Sequence, residues 1–313
     1  MTATAPGATP NLHMGFVGVT TGGSSIMRIF PRWAELLQLP TRVLVGHDLP
    51  LNAEPDDYRD LVASISADPQ HLGALVTTHK LALFAAARQL FDELDELAAG
   101  FGEISCIYKR DGQLRGAAKD FITAQLAMEE FLPERHFTAT GAEVLCLGAG
   151  GAGCALTHQL GARDDRPSRI TCTDISIERL THLHALHERA GLPAELVRYV
   201  HATSQSDTDA LLAALPPASL VVNATGMGKD RPGSPVSGDA QFPRDCLVWE
   251  LNYRGALDFL RQAESQSAHR GLTLVDGWRY FIHGWSQAVA EVFDIPMPPE
   301  QVQVLADAAA ELR

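Results

Sequence analysis

A turn carrying four glycines, Gly148-Ala149-Gly150-Gly151-Ala152-Gly153, separates the apolar run Ala142-Glu143-Val144-Leu145-Cys146-Leu147 from a helix-forming stretch over 154–160. Strand, glycine turn and helix in that order constrain the fold more than any other segment. Glycine permits the tight turn and a close approach of backbone to a ligand, and the positive end of the helix then faces an anionic group such as a pyrophosphate. The segment therefore predicts a dinucleotide site formed by Gly148, Gly150, Gly151, Ala152 and Gly153. Asp174 stands about twenty residues past Gly153, at the end of the β-rich run Arg169-Ile170-Thr171-Cys172-Thr173. A carboxylate there accepts hydrogen bonds from ribose hydroxyls and repels a 2′-phosphate, which favours NAD. NADP is the alternative, through Arg169 and Arg179, and a helix N-cap is the competing role for Asp174.

The pattern around this turn sets the fold class. Strand-like runs over 143–147, 169–173, 196–200, 220–223, 246–251 and 273–275 alternate with helical stretches, which predicts a Rossmann-type doubly wound parallel sheet over 122–280. The N-terminal third alternates too. Strands are expected over 15–19, 42–46 and 73–77, helices over 28–37, 58–65 and 81–99, and a hairpin over 103–108 and 113–117 around Lys109-Arg110-Asp111-Gly112. An α/β substrate-binding domain over 1–121 thus precedes the nucleotide domain, joined to it by a helix over 120–131. The helices over 281–293 and 300–312 have no strand partners of their own and are expected to complete the first domain.

Composition narrows the function. The 313 residues are 46% hydrophobic, ample for two cores, and carry a formal net charge of −13. Nucleic acids and anionic membranes both reward clustered Lys and Arg, so neither is an expected partner and a small molecule is. No apolar run approaches the length of a membrane span. Residues 1–12 lack a basic start and an apolar core, so a loose tail on a cytoplasmic protein, monomer or homodimer, is expected. The five cysteines form no C-x-x-C pair and read as buried free thiols. His182, His184 and His187 lie close together, but no Cys or carboxylate set supports them. They read as a solvated helix surface rather than a metal site.

Six further fragments, in order, resemble the shikimate dehydrogenase family. Gly15-Phe16-Val17-Gly18 with Gly22-Gly23-Ser24-Ser25 is similar to its opening strand and substrate loop, and Val76-Thr77-Thr78-His79-Lys80 to its lysine motif. Asp111-Gly112 through Gly116 to Asp120 resembles its aspartate hairpin. Asn223-Ala224-Thr225, Glu250-Leu251-Asn252-Tyr253 and Asp276-Gly277 resemble its three later strand ends. The resemblance implies an NAD(P)-dependent alcohol dehydrogenase with Lys80 and Asp120 as the catalytic pair. It implies substrate contacts from Ser24, Ser25, Thr77, Ser105, Tyr253 and Gln287, and cofactor contacts from Asn223, Ala224, Thr225 and Gly277. Hydride transfer to or from an alcohol carbon leaves a proton on the oxygen to be handled, which is work for a lysine and a carboxylate.

The chain departs from the family pattern where the family holds its substrate. Ile26 falls at the second serine, Ala74 and Val76 at an asparagine and a threonine, Thr78 at a proline, and Ser105 at an asparagine. Ala118 and Lys119 precede the aspartate in place of asparagine and threonine, and Gly284 replaces a glutamine. Sites built to bind particular hydroxyls discriminate steeply, because unpaired buried polar groups are costly. The expected substrate is therefore a related polyhydroxylated ring compound, cyclitol- or shikimate/quinate-like. Shikimate or quinate itself is one alternative, and a non-catalytic NAD(P)- or metabolite-binding sensor another. Thr21, His79, Lys119 and His283 are candidate replacements in an altered pocket.

Overall fold

The computed structural model describes residues 11–229 and 231–313. The chain divides into two compact units, Met1–Ala118 with Trp285–Arg313, and Lys119–Gly284. The tail expected over 1–12 lies, up to residue 10, outside the described residues.

In the first unit the order is β1 (His13–Gly18), α1 (Ile26–Leu36), β2 (Leu44–Asp48), α2 (Pro55–Ala67), β3 (His71–Val76), α3 (Lys80–Ala87), β4 (Glu93–Leu94), α4 (Glu96–Phe101), β5 (Cys106–Arg110) and β6 (Gln113–Ala117). These strands form one sheet in the order β2-β1-β3-β5-β6-β4. Strands β1 and β3 are buried along nearly their whole length, so they read as continuous apolar runs rather than alternating ones. The expected hairpin forms between β5 and β6, pairing Arg110 with Gln113 across Asp111 and Gly112. Both turn residues have positive φ, 53° and 77°, as a two-residue hairpin turn requires. Helix α1 buries Ile26, Ile29, Phe30 and Trp33, one face at helical spacing.

The single helix expected over 81–99 is broken. Helix α3 stops at Ala87, β4 pairs with β6, and α4 starts afresh. The cause is two short acids: Asp92 accepts from the backbone N–H of Leu114 at 2.8 Å, and Asp95 caps α4 by accepting from that of Ala98 at 2.6 Å. Gly102, at φ 69°, closes α4.

The second unit runs α5 (Asp120–Glu129), α6 (His136–Thr140), β7 (Val144–Leu147), α7 (Gly151–Ala162), β8 (Ile170–Asp174), α8 (Ile177–Arg189), β9 (Val197–His201), α9 (Gln205–Ala213), β10 (Leu220–Asn223), β11 (Leu247–Glu250), α10 (Asp258–Arg270) and β12 (Thr273–Val275). The last helices of the chain are α11 (Trp278–Phe293) and α12 (Pro299–Ala310). Its six strands are all parallel, in the order β12-β11-β10-β7-β8-β9. The order reverses between β7 and β10, the switch point at which doubly wound sheets bind ligands. Leu145, Leu147, Val221 and Val248 from its central strands share a core with Phe242 and Phe259.

Within the first unit α12 lies against α1, where the indole N–H of Trp33 donates to the carbonyl of Leu305 at 2.9 Å. Phe16 meets Trp285 edge to face.

The histidines of α8 correct the solvated-surface reading at one position. His184 is exposed, but His187 is buried, 2.8 Å from the Tyr199 hydroxyl and 3.1 Å from that of Thr157. Leu180 and Leu183 stand seven and four residues before it, on the same helix face.

Candidate dinucleotide and active site

The glycines of the turn divide the work. Gly148, immediately after β7, has φ 108°, and a Cβ there would lie 2.9 Å from the carbonyl oxygen of Ala224. A Cβ on Gly153 would fall on the carbonyl oxygen of Gly148, well inside contact distance. Those two are needed for internal packing. Gly150 differs: it is the N-cap of α7 in ordinary extended conformation, and a Cβ there would meet nothing within 4 Å. The first amides of α7 have no partners within the helix, so they form an open, positively polarised approach over Gly150 that fits a pyrophosphate. Beneath the turn, the thiols of Cys146 and Cys172 point at the carbonyl of Gly148, and that of Cys154 at the carbonyl of Ala149. All five cysteines are free and buried.

Asp174 closes β8 beside this turn. One carboxylate oxygen accepts from the Ala149 N–H at 2.8 Å and the other from the Ser176 N–H at 2.9 Å. It staples the turn to the neighbouring strand, while Ser176 serves as the N-cap of α8. The exposed Arg179 guanidinium stands 3.9 Å from it.

At the ends of β10 and β11, Asn223 and Asn252 meet at Glu250, with Thr225 bonded to Asn223 and Gly277 to Asn252. The Asn223 amide donates to Glu250 Oε2 at 2.7 Å, and Asn252 donates to Oε1 through its backbone N–H and its side chain, at 2.8 and 2.7 Å. Burial pushes the Glu250 carboxyl up to about 7, opposed by those hydrogen bonds and by the Lys229 ammonium. Gly277 admits the chain because a Cβ would fall on the carbonyl of Leu251. Tyr253 packs on Phe281 with ring centroids 4.2 Å apart. The sequence placed Glu250 at a family-like strand end without giving it a role. Only its apolar neighbours, Leu247 to Trp249, signalled that an acid there would be buried.

In the first unit, Ser24 and Ser25 lie at the turn leading into α1, Thr77 directly follows β3, and Lys80 is the first residue of α3. The residue before it, His79, is buried. Its Nδ1 accepts from the Tyr58 hydroxyl at 2.9 Å, and its Nε2–H donates to the Leu49 carbonyl at 3.1 Å. His79 therefore anchors the start of α3 rather than lining a pocket. Thr78 has φ 56°, a left-handed conformation that a proline could not adopt. Thr21 is likewise engaged, its N–H and hydroxyl both donating to Asp48. Ser105 is buried and Gln287 partly buried.

Asp120 is the first residue of α5 in the second unit and is 6% exposed. His283 is buried and paired through Nε2 with Glu130 at 2.7 Å, beside the Arg279–Glu130 ion pair. Among the departures from the family pattern, Ile26, Ala74, Val76 and Ala118 are all buried apolar side chains. Among the described residues no group of three or more His, Cys, Asp or Glu is placed to hold a metal ion, and no helix is long and apolar enough to cross a membrane.

Fold and turn together define a dinucleotide-binding α/β protein: a Rossmann-type unit and a second α/β unit. No protein-family model matches the chain. It is 30% identical over 244 residues to shikimate dehydrogenase (NADP+) of Symbiobacterium thermophilum, covering 77% of this chain and 76% of that one. It is 28% identical over 216 residues to the enzyme of the same name from Streptococcus gordonii, covering 68% and 70%. Among solved structures, quinate dehydrogenase from Corynebacterium glutamicum in complex with NAD has the same fold, with a TM-score of 0.72, 22% identity and coverage of 96% and 99%. The chain belongs to the shikimate dehydrogenase family, whose members are NAD(P)-dependent oxidoreductases acting on CH–OH donors.

Proposed function

We propose that this chain transfers a hydride between NAD and a polyhydroxylated ring alcohol or its ketone, cyclitol- or shikimate/quinate-like. The observation that carries the reading is the presence of Lys80 and Asp120, each opening a helix, together with buried apolar side chains where the family holds its substrate's hydroxyls and carboxylate. The bound nicotinamide supplies or accepts the hydride. The Lys80 amine takes the proton from the substrate oxygen, or its ammonium returns it, and Asp120 accepts a neighbouring hydroxyl and orients the ring. Ser24, Ser25, Thr77, Ser105, Tyr253 and Gln287 supply the remaining polar contacts. Gly148, Gly150, Gly151, Ala152 and Gly153 hold the pyrophosphate.

Asp174 supports the choice of NAD. A 2′-phosphate would approach a buried carboxylate whose lone pairs are already partly committed. Turnover of shikimate or quinate itself is the second reading, supported by the names of the 28–30% identical relatives.

The test is reduced-nicotinamide absorbance with a panel of cyclitols, shikimate and quinate, run with the unmutated protein and with Lys80→Ala. The Lys80→Ala rate on the accepted substrate is expected to fall by about 10²-fold or more. Full turnover by Lys80→Ala refutes the assigned role, and binding without any redox signal across the panel refutes the enzyme.

A further inference from the structure

Glu250, the last residue of β11, is fully buried and has no part in the proton chemistry above. Its three hydrogen-bond donors come from two asparagines, and neither asparagine stops there. Asn223 Oδ1 accepts from the backbone N–H and the hydroxyl of Thr225, at 3.0 and 2.6 Å. The Asn252 amide also donates to the carbonyls of Thr225 and Met227, both at 3.1 Å. One carboxylate thus sets the direction of two amides, and those amides hold the loop over 224–227. The far side of that loop abuts Gly148, since a Cβ on Gly148 would lie 2.9 Å from Ala224 O and 3.1 Å from Thr225 Cγ2. Asn252 is itself fixed by the backbone N–H of Gly277, which donates to its carbonyl at 3.2 Å.

We infer that Glu250 is a positioning residue for the nicotinamide half of the cofactor, acting through Asn223, Asn252 and the loop over 224–227. The inference rests on the NAD(P) reading above. In a doubly wound sheet the pyrophosphate crosses at the switch point, and the two nucleotide halves lie on opposite sides of it. Asp174 and β8 stand on one side; Glu250, β10 and β11 stand on the other.

The chemistry requires a carboxylate. Every polar group facing Glu250 in this network donates a hydrogen, and an ionised carboxyl only accepts. A glutamine would turn an NH2 group toward one of those donors. Rotating the Asn223 amide to relieve that conflict would turn its own NH2 toward the Thr225 N–H. The mismatch is passed along to the loop and cannot be dissipated within the network.

The experiment compares two probes, NADH and ADP-ribose, which lacks the nicotinamide. With Glu250→Gln, the NADH dissociation constant is expected to rise about tenfold, the size of one lost charged hydrogen bond. The ADP-ribose constant is expected to stay within about twofold of the unmutated value. Equal weakening of both probes, or no change in either, overturns the inference. If Glu250→Gln fails to fold, Thr225→Val removes the hydroxyl that donates to Asn223 Oδ1 and accepts from the Met227 N–H. It is expected to weaken NADH about threefold with ADP-ribose unchanged, and an equal effect on both probes again overturns the inference. If the unmutated protein binds ADP-ribose but neither NADH nor NADPH, the NAD(P) reading fails, and this inference with it. If it binds NADH and the variants do not discriminate, only the inference fails.

Discussion

Two glycines three residues apart in one turn should respond in opposite ways to the same added methyl group. At Gly153 the new Cβ meets the Gly148 carbonyl oxygen, a backbone atom that cannot swing aside. Restoring contact distance requires a shift of about 1 Å in a fully packed turn, a cost of about 1–3 kcal/mol. From the middle of that range, about 2 kcal/mol, alanine in place of glycine inside a helix returns up to about 1 kcal/mol, so the net loss is about 1–2 kcal/mol. That lowers the melting midpoint of the second unit by about 3–6 °C. At Gly150 the methyl enters open space on a backbone with φ −78° and ψ −175°, and stability should change by less than about 0.5 kcal/mol. The same methyl occupies the approach proposed for the pyrophosphate, so NADH affinity should fall about tenfold or more. Thermal melts and NADH fluorescence titrations of both variants decide the matter. Unmutated affinity in Gly150→Ala refutes a pyrophosphate passing over that residue, and unmutated stability in Gly153→Ala refutes the packing role of Gly153.

Acid should destabilise both units through buried histidines. Burial, with the charges of His13, His47 and Lys109 added, lowers His71 from its ordinary 6.5 to about 3, and burial with His158 and His184 lowers His187 to about 4. A depressed histidine favours the folded state fully above pH 6.5 and loses that contribution as pH falls toward the folded value, about 2 kcal/mol each by pH 5. Amide exchange in β3 and in α8 should show this loss, and His71→Gln and His187→Gln should each remove it in their own unit. An unchanged pH slope in either variant rejects the corresponding burial argument. Asp174→Ala should loosen the turn at Ala149 and shift nucleotide preference toward NADPH; tighter NADPH than NADH binding by the unmutated protein rejects the NAD assignment.

Much of the architecture was legible because it is written in local pattern. Apolar runs, glycine turns and the Asp111-Gly112 hairpin each declare themselves within a few residues, and the six parallel strands of the second unit follow from their alternation with helices. The break after Ala87 was misread because 81–99 is rich in Leu and Ala, which mask it. The signal lay in Asp92 and Asp95, whose short side chains compete with helix by bonding backbone amides. His187 shows a different limit. Its neighbours Thr157 and Tyr199 come from other elements, so only the leucine spacing on its own helix pointed inward. The Glu250 network lay beyond reach altogether, since Asn223 and Glu250 meet only once β10 and β11 pair in register.

The first unit takes its residues from both ends of the chain, whereas the second is one continuous segment. On the ribosome this imposes a schedule. Everything belonging to the dinucleotide unit has been synthesised by residue 284, and it can fold while translation continues. The unit that carries Lys80 has its last strand by Ala117 but must wait until α12 emerges to cover Trp33 and α1. A ribosome halted just short of that helix would release a chain equipped for the nucleotide but not yet for its second ligand.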